Sequence, residues 1–127
     1  LEIRSSNDAL RDRLATLIDA DAWLAVHAER AVARALGGSC SMPLAAFAAR
    51  DADGRFTLRA ALGDAAVGAA LEGDIGDAGP RVRARPLLVA GETAALTDVA
   101  GAEAMGARVA AALLAAGGQA YLPPAGA

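Results

Sequence analysis

From Arg55 to Leu62 the side chains alternate without a break: Phe56, Leu58, Ala60 and Leu62 fall on one side, Arg55, Thr57 and Arg59 on the other. Period-two alternation sends the two sets to opposite faces of a strand. Such a strand needs a sheet with one dry face and one wet face, so another apolar layer must cover the dry one. The Asp51-Ala52-Asp53-Gly54 that precedes it is a hairpin-type turn whose glycine can supply a positive φ. Leu44 to Arg50 is then the strand before the turn. Arg81 to Leu88 repeats the alternation, with Val82, Ala84 and Leu88 against Arg81, Arg83 and Arg85, and is the expected third strand. Pro86 makes that strand an edge, or marks its end, because proline gives no N–H to a ladder. Neighbouring strands of this pattern put Arg55, Arg59, Arg81, Arg83 and Arg85 on one face, away from the covering layer. Val89 to Leu96 reads as a connection.

Helices supply the cover. Ser5-Ser6-Asn7-Asp8 is a cluster of capping residues, after which Leu10, Leu14, Leu17 and Ile18 recur at helical spacing opposite Arg11, Asp12 and Arg13. Asp19-Ala20-Asp21 ends that helix and caps the next, which runs from about Ala22 to Leu36. Its stripe of Leu24, Ala28, Ala31 and Ala35 is narrow and permits close packing. A last helix spans about Asp98 to Ala116, with Ala102, Met105, Val109, Ala112 and Leu113 as its buried stripe. Gly106 lets it approach the sheet, and Gly117-Gly118 stops it. Leu1 to Arg4 reads as the end of a strand, Gly63 to Pro80 as a surface loop, and residues 123–127 as a disordered tail. The expected architecture is α+β: a small three-stranded antiparallel sheet with helices packed on one face. Hydrophobic residues make up 55% of the chain but aromatics only 3%, so alanine fills much of this core.

Several function classes fall away on composition. All twelve basic residues are arginine, which removes any mechanism that needs a lysine Schiff base or a phosphate-loop lysine. A formal net charge of −3 gives no reason to expect nucleic acid or an anionic membrane as partner. No apolar run reaches the length of a membrane span, and the first residues do not resemble a signal peptide. One cysteine forms no internal disulfide, in keeping with a reducing cytoplasm. The opening Leu-Glu-Ile-Arg, without methionine, suggests a piece of a longer protein.

The second helix runs into Gly37-Gly38-Ser39-Cys40-Ser41-Met42-Pro43. The glycines can take positive φ and end the helix, while Pro43 disfavours α geometry at Met42. The sole thiol of the chain therefore sits on a short bent connection. A lone cysteine can equally be a small buried hydrophobe or an incidental thiol. His27 lies one turn from Trp23 with no second histidine or cysteine nearby in sequence, so it packs or is solvated and is not a metal ligand; no metal is expected. Arg30 and Arg34, also one turn apart, read as a solvated face or a salt bridge, or as cations that meet a carboxylate of a bound ligand.

The run E-R-x-x-x-x-x-L-G-G-S-C-S-M-P-L, from Glu29 to Leu44, resembles the cofactor-attachment signature of the hydroxymethylbilane synthase (porphobilinogen deaminase) family. Met42 departs from it, since a β-branched residue is usual there. Glu2-Ile3-Arg4 resembles the segment that closes the family's first domain, and the last helix with its Gly-Gly exit resembles the family's C-terminal helix. The likeness is weakest over Gly63 to Pro80. The resemblance implies that residues 1–18 are the strand and helix remnant of a first domain, and that residues 19–122 are the C-terminal cofactor-attachment domain. It implies a transferase of tetrapyrrole biosynthesis that condenses four porphobilinogen units on a dipyrromethane cofactor held as a thioether on Cys40. The family's catalytic aspartate and substrate-binding cations lie upstream, in N-terminal domains missing from this sequence. No catalytic residue is therefore assigned to this chain, and the isolated chain is expected to be inactive and free of cofactor.

A thiol at the carboxyl end of a helix is hindered from ionising, because the dipole there is negative. That disfavours a thiol protease or redox enzyme. A thioether formed once with a strongly electrophilic carbon does not need an activated thiolate. The competing reading is a non-catalytic α+β interaction or anion-binding module, with a structural cysteine and an arginine-lined sheet face.

Overall fold

The computed structural model describes residues 3–38, 42–65 and 85–122. Among them are three α-helices and one sheet: α1 (Asp8–Ala15), α2 (Ala20–Ala35), β1 (Leu44–Arg50), β2 (Phe56–Leu62), β3 (Leu88–Ala94), α3 (Val99–Ala115) and a closing 3-10 turn (Gly118–Tyr121). The sheet order is β1-β2-β3, antiparallel throughout, with α2 and α3 packed together on one face. The α+β architecture is as the sequence implies.

Each helix begins on a side-chain cap, which satisfies one amide that the first turn leaves without a partner. Asn7, Asp19 and Asp98 accept from the amides of Leu10, Ala22 and Gly101 at 3.1, 2.8 and 2.7 Å. The hairpin between β1 and β2 is fixed by Asp51, whose Oδ1 accepts from the amides of Asp53 and Arg55 at 3.0 and 2.9 Å. Gly54 takes φ 80° there.

The middle strand behaves as its alternation requires. Phe56, Leu58, Ala60 and Leu62 are buried beneath the helices, while Arg59 is exposed. Met105, Val109 and Leu113 of α3 and Val32 of α2 close over Leu58, Ala60 and Leu62, and Leu36 and Tyr121 complete the layer. Fully burying one such side chain is worth about 1.5–3 kcal/mol. These few large residues therefore hold a core that is otherwise alanine. The α2–α3 contact is close because Gly106 faces Ala28 and Ala31. The glycine thus serves a helix–helix approach and not the expected approach of helix to sheet. The stripes also shift by a residue: Val32 is buried and Ala35 exposed on α2, and Ala110 is buried and Ala112 exposed on α3.

The third strand is displaced from its expected place. Residues 81–84 lie outside the described residues, Arg85 to Leu87 are not strand, and the ladder runs from Leu88 to Ala94, where a connection was expected. Pro86 explains the start, since it donates no N–H and restrains the residue before it. The segment conceals its strand nature because its faces contradict its polarity. Val89 points to solvent at 64% exposure, while Glu92 lies on the helix side, where the Arg108 guanidinium grips it in a fork of 2.6 to 3.1 Å contacts. A paired carboxylate can occupy an inward position that a hydropathy pattern assigns to an apolar residue.

The amino-terminal region also differs. Ile3 and Arg4 pair with no strand among the described residues; Arg4 instead accepts from the Asn7 amide at 3.0 Å in a turn. The first helix stops at Ala15, leaving Leu17 and Ile18 beyond it and exposed. No residue of α1 is buried, and an open cleft between Ile3, Leu14, Ile18 and Trp23 separates it from the start of α2. At the carboxyl end, Gly117 takes φ 100° and turns the chain out of α3 as the Gly-Gly stop implies. Most of the expected 63–80 loop and the 123–127 tail lie outside the described residues.

Candidate functional site

Cys40 and its neighbours Ser39 and Ser41 lie outside the described residues. What the structure gives is the frame on either side of them. The helix α2 ends as a tightening turn: the Leu36 amide donates to Val32 at 3.2 Å and the Gly37 amide to Arg34 at 3.2 Å. Gly37 and Gly38 then take φ 87° and 36°. At Gly38 a side chain would also meet the Ala33 carbonyl oxygen at 3.1 Å, so the position is closed to other residues on two counts.

The returning chain is held just as firmly. Leu44 donates its amide to the Met42 carbonyl at 2.8 Å, which closes a three-residue turn centred on Pro43, whose ring already favours that φ. The Pro43 carbonyl accepts from the Gly63 amide at 2.8 Å, extending the β1–β2 pairing one step past Leu44 and Leu62. Met42 packs against the core while Pro43 is exposed, so the connection starts and ends at the rim of the sheet.

The cations near this connection differ in their commitments. Arg34 reaches across to α3 and donates to Glu103 Oε1 at 2.8 Å; His27 Nδ1 lies 3.3 Å from the same oxygen, with its ring edge-on to Trp23 at 4.7 Å. The His27 hydrogen bond first, then that of Arg34, holds the Glu103 carboxyl below the usual glutamate range. His27 is thus part of a polar clasp between α2 and α3, and Arg34 faces Glu103. Arg30 is exposed on the same helix. The expected arginine face is only partly present. Arg59 lies on the outer face, and Arg55, exposed, reaches the Thr93 carbonyl at 3.0 Å. Arg85 instead donates to the Ala120 carbonyl and lies 5.4 Å over the Tyr121 ring, while Arg81 and Arg83 are outside the described residues. The outer face carries exposed Phe47 and Val89 as well, so it is not an unbroken anion-binding surface.

Sequence reasoning missed one residue of this frame. The sequence marks Glu29 only as the first residue of the run to Leu44. In the structure, Glu29 Oε1 accepts the Ala48 amide of β1 at 2.8 Å. Its position directly after Ala28, at the flank of the apolar stripe, was the available signal.

Residues 23–76 match the family profile described as "Porphobilinogen deaminase, C-terminal domain". The porphobilinogen deaminase of Albidiferax ferrireducens is 48% identical over 116 residues, which is 91% of this chain and 31% of that protein. The chain is thus similar to the C-terminal part of porphobilinogen deaminases. The Sorangium cellulosum porphobilinogen deaminase is 48% identical over 64 residues, covering 50% of this chain and 21% of its own length. A rice relative named "Porphobilinogen deaminase, chloroplastic" is 42% identical over 59 residues, covering 46% of this chain and 16% of that protein. The chain therefore spans under a third of the length of each of these porphobilinogen deaminases. The profile covers α2, the Cys40 connection, β1 and β2, which together form the frame described above. The family is one of transferases in porphyrin and tetrapyrrole biosynthesis. No helix among the described residues is long and apolar enough to cross a membrane.

Proposed function

We propose that this chain is the cofactor-bearing C-terminal part of a hydroxymethylbilane synthase, with Cys40 as the point of covalent attachment for its dipyrromethane. Residues 19–122 form the attachment domain in this reading, and residues 1–18 belong to the domain before it. The single observation that carries the reading is the match of residues 23–76 to the family's C-terminal domain, with Cys40 set between Gly37-Gly38 and Pro43. The frame fits such a tether. Two glycines at positive φ end α2, the turn at Pro43 restarts the chain as β1, and Gly37, Gly38 and Pro43 are all exposed.

The cofactor supplies a tethered pyrrole end from which a chain of four porphobilinogen units is built. This chain's own part is to hold a thiol in reach of an electrophile. Porphobilinogen loses ammonia, the Cys40 sulfur forms the bond to the exposed methylene carbon, and the thiol proton goes to the departing amine. The C-terminal end of α2 opposes thiolate formation, which suits a bond made once and retained. Acid–base work on pyrrole nitrogen requires a carboxylate aimed at the ring, and the pyrrole acetates and propionates require clustered cations. Among the described residues around the connection, Glu29 is engaged by the sheet and Arg34 by Glu103, which supports assigning these tasks to N-terminal domains of the complete protein. The partners are those domains and the substrate porphobilinogen, in a reducing cytoplasm that keeps one thiol free.

Intact-mass measurement with peptide mapping tests the reading. The complete protein should carry two porphobilinogen units less two ammonia on Cys40, and Cys40→Ala should carry none. The 127-residue chain alone should show an unmodified thiol and form no tetrapyrrole from porphobilinogen. An active complete protein with an unmodified Cys40 overturns the assignment.

A further inference from the structure

Glu29 sits on the flank of α2 beside fully buried Ala28, and its carboxylate reaches the amide of Ala48 in the middle of β1 at 2.8 Å. Among the described residues β1 has a neighbouring strand on one side only, so an amide on its other side would otherwise face water or another protein's strand. The helix supplies the acceptor instead. The bond is charge-assisted and half-buried, which makes it shorter and stronger than a neutral one. Val32 and Leu36 press α2 onto the sheet by non-directional apolar contact, and the exposed Asp21–Arg50 ion pair at 3.2 Å ties the start of α2 to the end of β1, far along both elements from the Cys40 connection. The Glu29–Ala48 hydrogen bond fixes the register of helix on strand closer to that connection.

This tie closes a ring of chain. Glu29 lies two turns before the end of α2 and Ala48 lies within β1, so the Cys40 connection is the segment between them. Its departure is set by Gly37 and Gly38, and its return by the Met42–Leu44 turn and by the Pro43–Gly63 bond. With α2 and β1 cross-linked, Gly38 and Met42 are held at a fixed separation, and only residues 39–41 span it. We propose that Glu29 is a positioning residue for the Cys40 thiol: by clamping α2 to β1 it fixes both ends of the connection that presents the sulfur. The inference rests on the reading of Cys40 as the tether, and goes beyond it by naming the group that aims the tether.

Glu29→Ala and Glu29→Gln in the complete protein test it, since glutamine keeps a carbonyl oxygen where the carboxylate stood. Dipyrromethane loading of Cys40, followed by intact mass, should slow about tenfold in Glu29→Ala, the loss expected of one hydrogen bond to a charged acceptor. Glu29→Gln keeps a neutral bond and should recover part of that loss, loading about threefold slower than wild type. Leu113→Ala, a core cavity distant from the connection in sequence, controls for stability. It should melt earlier yet load at the normal rate well below its melting temperature. Loading of Glu29→Ala at the wild-type rate overturns the proposal, as does Gln failing to rescue or Leu113→Ala slowing equally. If wild type acquires no adduct on Cys40, the tether reading fails instead. Amide exchange then decides whether Glu29 sets the frame: Ala48, Met42 and Leu44 should exchange faster in Glu29→Ala and not in Glu29→Gln, and unchanged rates refute the clamp.

Discussion

Gly106→Ala separates two opposed effects by sign. Alanine is the better helix former, and in an exposed helix interior the change would stabilise by about 1 kcal/mol. At this position a methyl group would overlap the Ala28 carbonyl oxygen outright, lie 2.6 Å from the Ala31 Cβ and stand 3.2 Å from the Val32 amide nitrogen. Two of these atoms are backbone of α2 and cannot swing away. Ordinary carbon contacts need about 3.5–4.0 Å, so α2 and α3 must part by about 1 Å along this line. Separation loosens the contacts of Ala28, Val32, Met105 and Val109, all at most 2% exposed. Overpacking of this kind costs about 1–3 kcal/mol or somewhat more, and backbone on one side of the clash favours the upper end. Set against the propensity gain, the net loss should be about 1–2 kcal/mol, or a fall in melting temperature of roughly 3–10 °C for a domain of this size. Thermal unfolding followed by circular dichroism at 222 nm is a sufficient assay. A variant that melts at or above the wild-type temperature would refute the reasoning, because it would mean that helix propensity outweighs the packing of α2 on α3.

Leu58→Ala, near the centre of the middle strand with no exposed surface, should cost about 2–5 kcal/mol in chemical denaturation. Stability should also depend on Glu103 in acid. Its folded carboxyl is held below the ordinary range by His27 and Arg34, so its contribution is complete above the unfolded value and is lost as pH falls through the folded one. Denaturation of wild type and Glu103→Gln should therefore differ at neutral pH and converge in acid, whereas a constant difference would show that the clasp is not ionic.

The middle strand and the caps were legible in the sequence because they depend on neighbours in the chain. Alternation through Phe56, Leu58, Ala60 and Leu62 fixes which face of β2 is dry, whatever covers it. Asp19 and Asp98 are helix starts because the carboxylate and the amides it serves lie within one turn. The run that resembles the family's attachment signature is contiguous, so the candidate site could be read from Glu29 to Leu44 without a fold. Tertiary structure decided what depends on distant partners. Glu92 faces the helices only because Arg108 meets it, and without that guanidinium β3 has no recognisable pattern. Gly106 serves α2 and not the sheet, a choice set by which element happens to lie opposite. Glu29 becomes part of the frame of the thiol only when an edge strand brings the Ala48 amide to it. Local sequence sets periodicity and capping, because those are bonds between near neighbours. A pairing between residues far apart in the chain exists only once the layers are assembled, and here those pairings hold the frame on either side of Cys40.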